Sequence, residues 1–130
     1  MPNITEPVIQ RRIEALAVML LAMFFYHQSQ FSWLTFALLF FVPDLSLFSY
    51  RFGPKMGAVV YNTMHCFTWP LLLGAYAIVN ADTLLQQLAL IWLAHCAFDR
   101  AIGWGLKYND SFCNTDMGVK KLLVPNKYLA

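Results

Sequence analysis

Two histidines and two aspartates interrupt otherwise apolar stretches of this chain of 130 residues: Asp44, His65, His95 and Asp99. An ionisable group in apolar surroundings is costly unless it has a partner, so each of these residues marks a contact or a function. Imidazole and carboxylate groups together are donors that suit Zn, Fe or Mn ions. We therefore expect the four residues to form a divalent-metal site, and we take the same four as the catalytic candidates.

The spacing of these residues places them on shared helix faces. His95 and Asp99 are four residues apart, as are Tyr61 and His65, and positions with this separation are neighbours on one side of a helix. Side chains close to ligands commonly hold them in orientation by hydrogen bonds. The residues expected to do this are Tyr61, Asn62 and Arg100.

Long apolar stretches carry these candidates, at about residues 13–27, 31–50, 56–79 and 83–103. Hydrophobic residues make up 59% of the chain and charged residues only 12%, against a usual charged share of about 25% in globular domains. A helix needs about 20 mostly apolar residues to cross a bilayer. The sequence therefore predicts an all-α polytopic membrane protein, with residues 1–130 as a single membrane domain.

The positive charges fall on one side of this four-span arrangement. They are Arg11, Arg12, Arg51, Lys55, Arg100, Lys107, Lys120, Lys121 and Lys127. The two remaining connections, residues 27–30 and 80–82, contain no Lys or Arg. Lys and Arg stay on the cytoplasmic side in short loops, and short connections make neighbouring helices antiparallel. We expect an up-down-up-down four-helix transmembrane bundle with cytoplasmic N- and C-termini and a cytoplasmic tail at 104–130.

In this arrangement the polar groups reach similar depths in the cytoplasmic half of the bundle. At 1.5 Å per residue, Asp44 lies about 9 Å from the cytoplasmic end of its span, His65 about 15 Å and His95 about 12 Å. Pro43 removes a backbone donor beside Asp44 and frees a carbonyl one turn earlier. Such interruptions are tolerated where protein or water satisfies the backbone. A buried polar site is therefore the interpretation that the pattern favours.

Three functions fit such a site, and the sequence leaves enzyme and non-enzyme equally open. A bound metal can activate water to hydrolyse a lipid or another amphipathic substrate. The polar centre can instead bind a small solute or relay protons, which for so thin a bundle requires a homo-oligomer. The polar cluster can also serve only to hold the helices together, in a protein that binds a larger membrane complex. No phosphate-binding loop, dinucleotide fingerprint or nucleophile elbow is present, and no basic helix with interleaved aromatics indicates nucleic acid.

Each candidate residue also has a purely structural interpretation. The two histidines can be interhelical hydrogen-bond donors, and Asp99 can pair with Arg100 at the membrane interface, where the long arginine side chain reaches the headgroups. Asp44 can pair with a nearby cation, among them Arg51, Lys55 and Arg100. In the tail, Asp116 is a further candidate contributor to the site.

Several short motifs carry a resemblance to a known family. They are Pro43-Asp44-Leu45-Ser46, Gly53-Pro54, Tyr61-Asn62 with His65, His95 with Asp99-Arg100, Gly103-Trp104-Gly105-Leu106-Lys107-Tyr108, and Thr115-Asp116-Met117-Gly118. With them the chain resembles a family of small bacterial integral membrane proteins known only as a domain of unknown function. The tail motif in relatives reads Thr-His-Leu-Gly, whereas Asp116 and Met117 stand here. The resemblance implies a multi-pass location in the plasma (bacterial inner) membrane and a helical fold, and no activity.

Overall fold

The computed structural model describes residues 6–119, and this part of the chain is helical apart from a short hairpin. The helices are α1 (Pro7–Gln28), α2 (Trp33–Leu39), a 3-10 segment (Val42–Phe52), α3 (Pro54–His65), α4 (Thr68–Val79) and α5 (Thr83–Ala101). The hairpin pairs β1 (Asn114–Thr115) with β2 (Gly118–Val119) in antiparallel register. We count four helical segments, because only two residues separate α2 from the 3-10 segment and two separate α3 from α4. The all-α prediction is confirmed.

The residues that end and begin these segments are the ones the sequence marks. Gly53 closes the 3-10 segment with a φ of 109°, a conformation that glycine adopts without strain. Pro54 then opens α3, where its missing N–H is not needed. Asp82 caps α5 by accepting a hydrogen bond from the backbone N–H of Leu85 at 3.0 Å. Gly103, with a φ of 94°, follows the end of α5.

A proline interrupts the second helical segment immediately before Asp44. Helix α2 ends at Leu39, four residues before Pro43, because the proline ring clashes with the carbonyl at that position and offers no N–H. The chain continues as 3-10 helix over 11 residues, whereas such helices rarely exceed 3–4 residues. The backbone N–H of Asp44 donates to the Phe41 carbonyl at 3.0 Å. The expected interruption at Pro43 is therefore present.

The third segment is also interrupted, which corrects the expectation of one continuous helix over residues 56–79. Helix α3 stops at His65, and Cys66 is extended, with φ −86° and ψ 154°. Cys66 lies four residues before Pro70, the position whose carbonyl a proline leaves without a partner. Side chains of α5 contact the carbonyls at this interruption: Trp92 Nε1 donates to the Met64 carbonyl at 2.6 Å, and the Cys96 thiol lies 3.4 Å from the same oxygen.

Helix α5 occupies the centre of the described structure. Helix α1 packs along one side of α5 and α4 along another, while α3 packs against the 3-10 segment. The buried residues of α5 are mostly small, which lets its neighbours approach closely; they are Ala89, Ile91, Ala94, His95, Cys96 and Ala97. The surrounding helices expose large apolar side chains, such as Leu38 and Ile78 at 71% and 70%. The buried residues are thus mostly small and apolar, while many of the large apolar side chains are on the exterior, which is unlike the usual globular distribution.

Within residues 6–119, length and composition single out one helical stretch able to cross a membrane. This stretch is Trp33–Phe52, with 20 residues and a mean hydropathy of 1.5. Helices α3 and α4 have 12 residues each, and each alone is too short to cross a bilayer. Helix α1 contains three charged residues near its start, and α5 contains the polar pairs Gln86-Gln87 and Asp99-Arg100.

Candidate metal centre

The four predicted ligands meet in the structure. Asp44 comes from the 3-10 segment, His65 is the last residue of α3, and His95 and Asp99 lie one turn apart on α5. One ligand atom from each residue lies within 4.8 Å of the others, and the group can hold a metal ion. The histidine side chains are 2% and 0% exposed, and the carboxylates of Asp99 and Asp44 are 14% and 34% exposed. Three separate helical elements therefore build one buried cluster.

The two histidine nitrogens of the cluster lie at similar distances from each other and from both carboxylate oxygens. His65 Nε2 lies 3.1 Å from His95 Nε2, 3.3 Å from Asp44 Oδ1 and 3.3 Å from Asp99 Oδ2. His95 Nε2 lies 3.3 Å from Asp44 Oδ1 and 3.4 Å from Asp99 Oδ2. Two donor atoms that bind one tetrahedral Zn ion at about 2.0 Å lie about 3.3 Å from each other, which is close to these five separations. The spacing therefore suits a small divalent ion.

The protonation of His65 follows from its own helix. Its Nδ1 lies 2.9 Å from the carbonyl oxygen of Tyr61, and a carbonyl only accepts, so Nδ1 carries the hydrogen. In the neutral ring, Nε2 then carries a lone pair, which faces two carboxylate oxygens and the second histidine. The lone pairs of His65 Nε2 and of the two carboxylates thus converge on one point. A metal ion at this point, or a hydrogen on His95 Nε2, would satisfy them.

His95 is held by packing instead of by a hydrogen bond to its outer nitrogen. Its ring lies edge-on to Phe40, with 5.1 Å between the ring centres, and Phe41 lies 6.4 Å away. Among residues 6–119, no hydrogen-bond partner reaches its buried Nδ1 atom. Metal-binding histidines usually donate this outer N–H to an acceptor. Apolar packing therefore sets the direction of the His95 ring.

Of the three residues expected to orient the ligands, Tyr61 contacts His65 and the other two have different contacts. The Tyr61 ring stacks on His65, with 3.8 Å between the ring centres and a 9° angle. Asn62 instead forms two hydrogen bonds to the backbone of Lys107, at 2.8 and 2.6 Å. The Arg100 guanidinium lies over the Phe67 ring at 4.2 Å. Within the described chain, no ion pair joins Arg100 to its neighbour Asp99.

Asp116, a further candidate, lies outside the cluster and docks the tail. Its Oδ1 accepts a hydrogen bond from the Leu106 backbone N–H at 2.7 Å, and its Oδ2 forms an ion pair with Arg11 of α1. The first contact lies within the tail, and the second ties the tail to α1. The remaining tail residues, from 120 onwards, lie outside the described part of the chain.

A comparison with protein-family models gives one match, which covers residues 9–119. The matching model is that of a domain of unknown function, DUF4260. The chain belongs to the DUF4260 family. This confirms the resemblance to a family known as a domain of unknown function, and the matched region contains all four residues of the cluster. No curated protein and no solved structure matches the chain.

A cavity of about 190 Å³ adjoins the cluster of this DUF4260 member on its carboxylate side. It is lined by Asp44, Leu47, Tyr61, Asp99, Ile102, Trp104 and Phe112. The ammonium group of Lys107 lies against three of the lining rings, 4.9 Å from Tyr61, 4.8 Å from Trp104 and 4.1 Å from Phe112. Phe112 escaped the sequence analysis, because nothing in the local sequence indicates which face of the tail meets the helices.

Proposed function

We propose that this protein is a metal-dependent hydrolase of the membrane, with Asp44, His65, His95 and Asp99 as its ligands. The observation that carries the proposal is the convergence of donor atoms on one buried point. The hydrogen bond that His65 Nδ1 donates to the Tyr61 carbonyl directs the Nε2 lone pair toward that point. Zn, Fe and Mn all accept imidazole and carboxylate ligands. Sites of this composition are well known within four-helix bundles.

The apolar exterior supports a polytopic arrangement. Monomeric soluble proteins rarely expose contiguous apolar patches larger than a few hundred Å². Here every helix carries exposed large apolar side chains; among them are Leu16, Leu20, Leu21, Phe24, Phe25, Leu34, Leu38, Leu45, Phe48, Leu71, Leu72, Ile78 and Val79. Four spans with cytoplasmic termini place all Lys and Arg residues on one side. The bilayer is then the partner of these faces, in a multi-pass protein of the plasma (bacterial inner) membrane.

The cavity supports hydrolysis as the reaction. A divalent ion supplies Lewis acidity and activates a water molecule near neutral pH. Both carboxylates of the cluster line the cavity, so a substrate approaches from their side. Asp44 is the more exposed of the two. Its Oδ2 makes no hydrogen bond within the described chain, so this oxygen is free to accept a proton from water. The apolar lining beside it, Leu47 and Ile102, suits a lipid or amphipathic substrate.

Metal analysis of the purified protein tests the proposal. The protein is extracted in mild detergent without chelator, and its Zn, Fe and Mn contents are measured beside a His65→Ala/His95→Ala variant. The chain has three histidines, and His27→Ala is the matched control because His27 lies outside the cluster. We expect close to one ion per chain in the wild type and the control, and almost none in the double variant.

Two outcomes contradict the metal site. One is a wild-type protein that takes up none of the three metals even after reloading. The other is a double variant that keeps its helical circular dichroism and binds as much metal as the wild type. A loss of helical signal in the double variant calls for the milder pair His65→Gln and His95→Gln, for which the same loss of metal is expected.

One observation favours a non-enzymatic alternative, a proton relay or solute site in an oligomer. A metal on His95 Nε2 leaves the Nδ1 hydrogen without an acceptor among the described residues. The other tautomer places the hydrogen on Nε2, where it donates to His65 Nε2 at 3.1 Å. A proton then takes the place of the metal. In that case Asp44→Asn changes a pH-dependent flux while the purified protein contains no metal.

A further inference from the structure

An apolar groove of about 550 Å³ runs between α1 and the end of α5. It is lined by Ile9, Arg12, Ile13, Leu16, Met19, Phe98, Ala101 and Ile102. Along α1 the lining extends from Ile9 to Met19, which at 1.5 Å per residue is about 15 Å, roughly the length of a dozen carbons of an acyl chain. All the lining residues except Arg12 are apolar, so the groove matches a hydrocarbon chain with one charged contact.

Arg12 gives the groove a binding group for an anion. Its Nε donates to the Ala101 carbonyl at 2.9 Å, which holds the guanidinium across the gap between α1 and α5. Within residues 6–119, no hydrogen bond or ion pair occupies its Nη1 and Nη2 atoms. Guanidinium groups bind phosphate oxygens through two parallel hydrogen bonds. The neighbouring Arg11 differs, because its guanidinium is bound to Asp116.

The groove and the cavity beside the cluster share a wall. Ile102 lines both of them, and it follows Asp99 by three residues on the same stretch of chain. A lipid whose chain extends toward Met19 and whose phosphate contacts Arg12 has its ester linkages near Ile102. These linkages then lie beside the cavity that contains the carboxylates of Asp44 and Asp99. The geometry joins a chain-binding groove to the reaction site.

We propose that the α1/α5 groove binds an anionic phospholipid, with its acyl chain along α1 and its phosphate on Arg12. The lipid thereby presents its ester or phosphoester linkage to the metal centre as substrate. This inference rests on the proposed hydrolase function for the chemistry, while the binding itself does not require the metal. A zwitterionic lipid fills the same groove less well, because its headgroup also brings a positive charge close to Arg12.

Native mass spectrometry of the protein tests this binding. The protein is reconstituted in phosphatidylcholine vesicles that contain phosphatidylglycerol, then released in mild detergent, and the retained lipids are counted. We expect one phosphatidylglycerol per chain. Arg12→Gln should lower its retention about tenfold, the effect of losing a charge-assisted hydrogen bond. Met19→Trp should lower retention by filling the far end of the groove, and Arg12→Lys should restore part of what Arg12→Gln loses.

Arg51→Gln and Leu38→Trp are the controls, because both residues are exposed and neither lines the groove. The inference is overturned if the wild type retains no lipid, if it retains both lipid classes equally, or if retention is unchanged in Arg12→Gln and Met19→Trp. Metal is counted in the same spectra. Lipid retained without metal supports this inference and counts against the metal-dependent function, whereas metal without lipid does the opposite.

Discussion

A substitution at Gly57, which lies outside the cluster, tests the proposed geometry of the metal site. Gly57 lies on α3 against the ring of Tyr50, which belongs to the 3-10 segment. A Cβ added at Gly57 would overlap Cγ and Cδ1 of that ring and lie 2.6 Å from Cδ2. Carbon atoms in contact are normally 3.5–4.0 Å apart, so Gly57→Ala must move the ring by about 1 Å or more.

This displacement acts on one side of the cluster. Asp44 lies on the same 3-10 segment as Tyr50, and His65 lies on the same helix as Gly57, so separating the two elements lengthens the Asp44–His65 distance of 3.3 Å. His95 and Asp99 are both on α5 and keep their spacing. We expect metal affinity to fall about tenfold to a hundredfold, the range seen when ligand positioning is disturbed.

The expected change in stability is smaller and has two opposing parts. Overfilling a packed site costs about 1–3 kcal/mol. Replacing a helical glycine by alanine returns up to about 1 kcal/mol. Gly57→Ala should therefore lose about 0–3 kcal/mol. Gly74→Ala is the matched control, because its added Cβ lies 3.6 Å from Ala89 Cβ, an ordinary contact, and it should gain up to about 1 kcal/mol.

The assay is competition for metal with a calibrated chelator, together with thermal unfolding in the same detergent. A Gly57→Ala/Tyr50→Leu variant removes the ring that the new methyl group meets, and it should recover most of the lost affinity. Equal metal affinity in Gly57→Ala and Gly74→Ala would refute the link between this contact and the cluster. Failure of the double variant to recover any affinity in a folded protein would refute it as well.

Two further changes test the tail and the interruption after α3. Gly105→Ala should release the tail, because its Cβ would overlap Asp116 Oδ1 and lie 3.0 Å from Met117 Cβ; faster limited proteolysis of the tail would show this, and an unchanged rate would contradict it. Trp92→Phe removes the donor to the Met64 carbonyl. The carbonyl then keeps only the weaker contact with the Cys96 thiol, so the change should cost about 0.5–1.5 kcal/mol in thermal unfolding, and an unchanged unfolding temperature would contradict that role.

The ligand set was predictable because its signal is local. His95 and Asp99 are one helical turn apart, so any helix through them places both side chains on one face. Gly53 and Pro54 similarly mark a helix boundary through backbone properties that need no tertiary context. The convergence of this face with Asp44 and His65 was an expectation from matching depths, and the structure brings all four together.

The parts that were missed depend on distant contacts or on an overlooked proline. The Arg11–Asp116 pair joins residues 105 positions apart, and no periodicity connects them. In the sequence, membrane topology explains Arg11, and nothing links it to Asp116. Pro70 is different, because its signal was present in the sequence. A strongly apolar stretch concealed it, although proline interrupts a helix whatever the hydropathy around it.

Both helix interruptions lie beside ligands, and one face of α5 serves both. Trp92, His95, Cys96 and Asp99 follow the spacing i, i+3, i+4 and i+7, which is a single stripe along a helix. The first and third of these contact the Met64 carbonyl at the end of α3, and the second and fourth belong to the group that can hold a metal ion. An interrupted helix inside a membrane requires such donors, because lipid offers none. The hydrogen-bond donors that pair with the Met64 carbonyl therefore also fix the position of His65 relative to His95 and Asp99. A change in this packing changes the site as well.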